Sequence, residues 1–353
     1  VARSLARHAE VGLIIAGRDA RRAAEFCATL ASSSGRSLAA DCSRSEGIGA
    51  VLATQPRIVI DTAGPFHARD YALAEACARA GCHYVDLADS REHVVGIVRL
   101  DAIARANGVL VVSGASTVPA ITTAIVDELA PDRRSVRAID VGIAPGHRAP
   151  RGLATVRSIL GYSGRPLVSA PGSAPLFGWG DLGRHRYPAP VGRRWLSTVD
   201  VPERTLWPNY YPALERLRVR AGLEVGALHL GLAGMAQLVR WRAIRSLEEW
   251  APFAIWAADW CNFLGTDTGA MHVQVTLASP TGALTTSTAY WVAERGDGPE
   301  IPAMPAVVLA KRLLGLRGYR ELTQRGAMPC MNLLSADELR RELAPFAIRF
   351  LGD

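Results

Sequence analysis

Residues 57–89 read RIVIDTAGPFHARDYALAEACARAGCHYVDLAD, and the fold turns on this stretch. It opens on Ile58-Val59-Ile60, a short apolar run that suits a strand buried on both faces. Asp61-Thr62-Ala63-Gly64-Pro65 then stops the run in a loop of small residues, where backbone can approach a ligand closely. A helix from about Asp70 to Arg79 follows, with Leu73, Ala76, Cys77 and Ala80 on one face, and Gly81 ends it. The next strand, His83 to Leu87, carries Asp86. Strand, small-residue loop, helix, glycine, strand is a βαβ unit. It implies a parallel sheet with ligands at the carboxyl ends of its strands.

Working outward, the same alternation continues on both sides. Val1–Ala9 reads as the tail of a helix and Val11–Ala16 as a buried strand. Asp19 caps a helix from Ala20 to Leu30, which Ser32-Ser33-Ser34-Gly35 ends. Leu38–Asp41 is a short strand, and a helix runs through Ile48, Val51 and Leu52. Beyond the central unit come a helix from Arg91 to Ala106, a strand Val109–Val112, and a helix to Leu129 with Pro119 in its first turn. This is a Rossmann-type doubly wound α/β domain over residues 1–131. Residues 132–298 then read as an α+β substrate or oligomerisation domain: a strand Val136–Ile143, an irregular stretch Arg165–Pro212, two apolar helices, and strands Met271–Ala278 and Ala283–Ala293. Residues 299–353 form a C-terminal helical segment that packs back on the first domain.

Composition narrows the classes. The chain has 353 residues, 49% hydrophobic and 21% charged, which excludes a disordered protein. Its net charge of +7 is carried almost wholly by scattered arginines, with Lys311 the one lysine, so nucleic acid is not an expected partner. The six cysteines lack CxxC spacing and read as free thiols of a cytoplasmic protein; no metal motif is present. Glu224, His229 and Gln237 interrupt Leu223–Val239 and argue against a membrane span. Trp250, Phe253, Trp256, Trp260 and Phe263 recur at helical spacing and read as core or subunit interface, consistent with a homodimer. A lipid-facing surface is the second reading of that stripe.

The candidate cofactor residues are the strand ends. Arg18 follows the first visible strand, where an arginine favours the 2′-phosphate of NADP, and Asp19 beyond it suits the ribose hydroxyls of NAD. Asp41 suits the adenine edge. Thr62, Ala63, Gly64 and Pro65 lie where a dinucleotide passes, and Asp86, Ser113 and Gly114 occupy matching positions on the next strands. For acid–base work the choice is His147 with Arg148 and Arg151, in a loop just past the first domain where an anionic substrate could be held. Tyr84, His83 and His272 are alternatives.

AGRD (16–19), DTAGPF (61–66), EACARAGCHYVDLAD (75–89) and VSGAS (112–116) together resemble the NADP-binding domain of saccharopine dehydrogenase-like oxidoreductases. The likeness extends through APGHRAPRGLATVRSILGYSGRP (144–166), YPAPVGRRWL (187–196), GDGPEIPAMPAVVLAKRL (296–313) and RGAMPCMNLL (325–334). It implies NADP or NAD as cofactor, and hydride transfer to or from a small or lipid-like metabolite. A non-catalytic dinucleotide-fold binding or scaffold protein is the competing class. Two features depart from the family pattern. His147 stands where a small polar residue is expected. The Gly-rich loop that follows the first strand of such domains is absent, since Val1 already lies in a helix. The expectation is therefore a fragment, whose gene encodes an upstream strand, a GxGxxG-like turn and a first helical turn.

Overall fold

The computed structural model describes residues 1–30, 35–67, 69–169 and 174–352. The central unit forms as expected: strand Ile58–Asp61, helix Ala72–Arg79, strand His83–Asp86. The two strands pair in parallel, and Leu110–Ser113 and Gly326–Pro329 extend them into a four-stranded sheet. Leu13–Gly17 and Gly35–Ala39 form a separate parallel pair. The edges of Leu13–Gly17 and Ile58–Asp61 that would flank a further strand each lack a strand partner among the described residues.

Local differences from the sequence reading have local causes. The strand expected at Leu38–Asp41 lies earlier, at Gly35–Ala39. The Asp41 carboxylate accepts the Ser43 N–H at 3.1 Å and its hydroxyl at 2.7 Å, and this turn takes the chain out of the strand. Ser32–Ser34, read as the end of the preceding helix, fall outside the described residues. The helix expected from Arg91 to Ala106 divides into Arg91–Gly96, a 3₁₀ turn Ile97–Leu100, and Asp101–Ala106. Its ladder is interrupted where the Tyr71 hydroxyl donates to the His93 carbonyl at 2.8 Å. Pro119 precedes its helix rather than opening it. Val118 is extended (φ −110°, ψ 126°), as the residue before proline prefers, and the regular helix is Thr122–Leu129.

The second sheet has seven strands in the order Ile348–Gly352, Leu284–Ala293, Gly269–Ala278, Val136–Ala144, Arg216–Ala221, Arg193–Thr198, Gly183–Arg186. Arg216–Ala221 runs parallel to Val136–Ala144 and the other neighbours are antiparallel. The stretch expected to be irregular thus holds two strands of this sheet. Their sequences, GRHR and RRWLST, are rich in arginine and polar residues, so no apolar run announces them.

Helix Glu300–Leu313 lies between the two sheets. Met304, Val307 and Val308 pack with Val141, Val273 and Trp291 of the larger sheet. Ala306, Leu309 and Leu313 pack with Val85, Leu110 and Val112 of the smaller one. A helix apolar on every side is a buried helix, and each such side chain contributes roughly 1.5–3 kcal/mol on burial. The segment read as helical beyond residue 299 also supplies a strand to each sheet. No helix among the described residues is long and apolar enough to cross a membrane.

Candidate active site

At the carboxyl ends of the four-stranded sheet, buried acids fix the loops. Asp61 accepts from the Ala63 N–H at 2.9 Å and from Arg69 at 2.6 Å. Burial raises its carboxyl above the usual range, with Arg69 opposing. Tyr84, weighed as an acid–base group, is buried and donates to Asp61 at 3.3 Å. Asp86 is fully buried, and one of its oxygens takes the Ala88 N–H (3.0 Å), the Ser113 hydroxyl (2.8 Å) and the Gly114 N–H (2.9 Å). Its other oxygen lies 3.4 Å from His93 Nε2. Asp86, Ser113 and Gly114 were expected to touch the cofactor. No solvent reaches them, so they form the floor on which the loops rest. Thr62, Ala63, Gly64 and Pro65 are exposed at the surface of that floor.

The adenosine end is more open. Arg18 is exposed just after Leu13–Gly17 and makes no ion pair among the described residues. Its charge reaches Asp41, whose carboxyl is held low chiefly by the Ser43 hydrogen bonds. Asp19 caps helix Ala20–Ala28 through the Arg22 N–H at 3.1 Å. The open guanidinium and the bare loop at Thr62–Pro65 suit a phosphorylated dinucleotide laid across the strand ends.

The second domain closes over these loops. Arg91, just past Asp86, holds Asp200 at 2.7 Å, and His67 lies 3.9 Å from Glu248. A Cβ on Gly64 would touch Ala154 of helix Leu153–Tyr162. Asp89 is an exposed residue whose carboxyl is crowded by protein. The loss of solvation raises its carboxyl, with a hydrogen bond from its own backbone and His67 opposing. Tyr162 is raised too, by burial first and then by the charges of Asp89 and Asp200, with Arg204 opposing. Glu203, also from the second domain, is completely buried. It accepts the Thr122 hydroxyl at 2.6 Å, its other oxygen has no partner among the described residues, and burial pushes its pKa up to about 7.

His147, Arg148 and Arg151 are brought together, but with their polar groups already engaged. The His147 N–H donates to Glu224 at 2.7 Å, and its Nε2 donates to the Ala258 carbonyl at 2.8 Å. Arg148 donates to the Asn262 carbonyl at 3.1 Å. Arg151 holds Asp259 at 2.7 Å and also bonds the His147 carbonyl. His83 accepts the Leu110 N–H at 2.9 Å, and His272 stacks on His185 at 3.7 Å, so neither faces the cleft loops. Asp89, Tyr162, Asp200 and Glu203 were missed as site residues. Asp89 closes the quoted stretch and its position was a usable signal; Glu203 sits in a segment with no recognisable pattern. Among the described residues no group of three His, Cys, Asp or Glu could hold a metal.

A parallel sheet with open loops at its carboxyl ends, joined to a second mixed-sheet domain, defines an α/β protein whose first unit is Rossmann-like. Residues 1–112 match the model of the saccharopine dehydrogenase NADP binding domain. The amino-terminal third of the chain is thus similar to a domain that binds NADP, joined here to a second, mixed-sheet unit. Among solved structures, the apo L-Glu-forming saccharopine dehydrogenase of Saccharomyces cerevisiae is 12% identical over 99% of this chain and 96% of that one, with a TM-score of 0.66. That likeness establishes the shared fold. A variant meso-dapdh of Clostridium tetani is 10% identical over 94% of this chain and 98% of that one, with a TM-score of 0.43. No curated protein matches the chain.

Proposed function

We propose that the protein transfers hydride between NADP(H) and a small or lipid-like metabolite held between the loops Thr62–His67 and Leu87–Arg91 and the second-domain residues Tyr162, Asp200 and Arg204. The observation that carries this reading is Asp89. It is an exposed residue whose carboxyl is crowded by protein, so that its affinity for a proton is raised, just past the carboxyl end of a strand and close enough to Tyr162 for their charges to interact. NADP(H), when bound, supplies or accepts the hydride at carbon. Reduction of a C=O, C=N or C=C bond also needs a proton at the other atom, and Asp89 is suited to hold and deliver it. Arg18 takes the 2′-phosphate, and Thr62–Pro65 let the dinucleotide backbone lie close to the strand ends. Arg91 and Asp200 hold the two walls of the cleft in register. We read His147, Arg148 and Arg151 as anchors for the helix Ala251–Trp260 rather than as acid–base groups, because the hydrogen bonds described above occupy them. A cytoplasmic setting agrees with the free thiols.

The test is NADPH oxidation against a panel of carbonyl, imine and enoyl compounds, wild type beside Asp89→Asn. With a substrate found, the variant should bind NADPH as before and lose roughly 10²–10⁴-fold in kcat. Full activity in Asp89→Asn would remove Asp89 from the chemistry. Tight NADPH binding with no turnover on any compound would count against the assigned reaction.

A further inference from the structure

Helix Ala251–Trp260 breaks the rule that an all-apolar helix is a buried one. Its one charged side chain, Asp259, is held by Arg151 at 2.7 Å. The inner edge of the helix joins Leu160, Val239 and Leu247 in a small core. On the outer edge Trp250, Phe253, Trp256, Trp260 and Phe263 follow one another at intervals of three or four residues. They form one face roughly 20 Å long at the helical rise. These rings are not core: Trp256 is 63% exposed, Phe263 69% and Trp260 71%, and Trp241 nearby is 68% exposed. Phe253 and Trp256 stack at 5.6 Å, so the face is ordered before anything covers it.

The charges around it identify the cover. Arg240, Arg242 and Arg245 are exposed on the segment leading into the face, and exposed Arg148 lies at its far end against Asn262. Of the acids, Asp259 is paired with Arg151, Glu248 is directed to His67 at 3.9 Å, and Glu249 and Asp267 are exposed, two acids against four arginines. The rim is therefore positive. A second copy docked through this face would be isologous, setting that rim against itself. An anionic bilayer matches it: tryptophan at the boundary between headgroups and acyl chains, arginine on the phosphates.

We propose that this face seats the protein on an anionic phospholipid surface. Trp250 lies two residues beyond Glu248, the neighbour of His67, so the seated face borders the mouth of the cleft. The inference does not depend on the proposed reaction, and its readout is binding alone.

Full-length protein is sedimented with vesicles of phosphatidylcholine, or of phosphatidylcholine mixed with phosphatidylglycerol. It should pellet with the mixed vesicles and be released by salt. Arg242→Ala and Arg245→Ala should each weaken binding about fivefold. Trp256→Ser/Trp260→Ser should abolish it while NADPH binding and circular dichroism stay unchanged. In the wild type, lipids brominated in the acyl chains should quench tryptophan fluorescence, an arm that needs no variant to fold. Failure to bind mixed vesicles, or absence of quenching, overturns the proposal. So does a wild-type dimer in light scattering that Trp256→Ser/Trp260→Ser splits, which would make the cover a second copy.

Discussion

On the proposed reading Arg18 governs cofactor choice, while Glu203 governs how stability responds to pH. Arg18 is open to solvent, and a charge-assisted contact to a 2′-phosphate is worth on the order of 1.5–3 kcal/mol. Arg18→Ala should therefore cost roughly 10- to 150-fold in NADP affinity and little in NAD affinity, read by titrating both cofactors. Glu203 acts on stability instead. Its pKa is pushed up to about 7 in the fold, from an ordinary value of 4.5, so the folded protein holds a proton that the unfolded chain releases earlier. Its contribution is complete below about pH 4.5 and is lost as the pH rises through about 7, on the order of 3 kcal/mol in all. Thermal melts across that window should show the wild type losing stability relative to Glu203→Gln, which keeps a neutral side chain throughout. Parallel curves would place the proton elsewhere. Arg18 was legible because it directly follows an apolar strand. Glu203 was not, because a lone acid in ERTLWPNY gives no sign that Thr122 and a buried wall await it.

Among the elements, those with a period to read were found and those without were not. The βαβ run is legible because apolar triplets, a helical stripe and a closing glycine follow one another within one short stretch. Strands Gly183–Arg186 and Arg193–Thr198 escape because their arginines find partners in space: Arg194 meets Glu224 at 2.8 Å, and Arg184 lies over the Trp195 ring at 3.9 Å. The aromatic stripe was read as core or interface, and its spacing was right. Whether such a face is covered depends on the neighbouring elements, which spacing cannot reveal. One junction of elements is open to a direct test. Gly164, at φ +75°, follows helix Leu153–Tyr162, and a Cβ there would lie 2.1 Å from the Ala236 carbonyl oxygen on helix Gly226–Arg240. Neither backbone can yield cheaply. Gly164→Ala should cost about 2–4 kcal/mol in urea unfolding, from overpacking and the left-handed conformation together. A loss below about 1 kcal/mol would mean that the two helices can part freely.

At the scale of the molecule, the two sheets share the helix Glu300–Leu313 as a common wall, and the cleft opens on one side of it. Arg91 and Asp200 cross that cleft, both mostly buried. Arg91→Ala leaves Asp200 uncompensated, so it should destabilise the protein by about 2 kcal/mol. It should also raise KM for substrate more than it lowers kcat, since it loosens the walls without touching the proton donor. Steady-state kinetics beside a melt separates these effects, and a kcat loss alone would contradict the bridging role. That a mixed-sheet unit follows the parallel one was legible from the end of the regular strand–helix alternation. The tail was expected to return to the first domain as helix; that it returns as a strand was not legible, since GAMP carries no strand signature of its own.

That tail has a consequence for how the protein is made. Strand Gly326–Pro329 completes the first sheet beside Leu110–Ser113, and Ile348–Gly352 then completes the second beside Leu284–Ala293. Synthesis runs from the amino end, so the nascent first domain waits with the edge of Leu110–Ser113 uncovered until Gly326–Pro329 has left the ribosome. Contacts so distant in sequence fold slowly, and a bare strand edge invites pairing with other chains. The interval between translating Ser113 and translating Gly326 is therefore when this chain most needs a chaperone. Shortening the tail from its end should first expose the second sheet and only later the first.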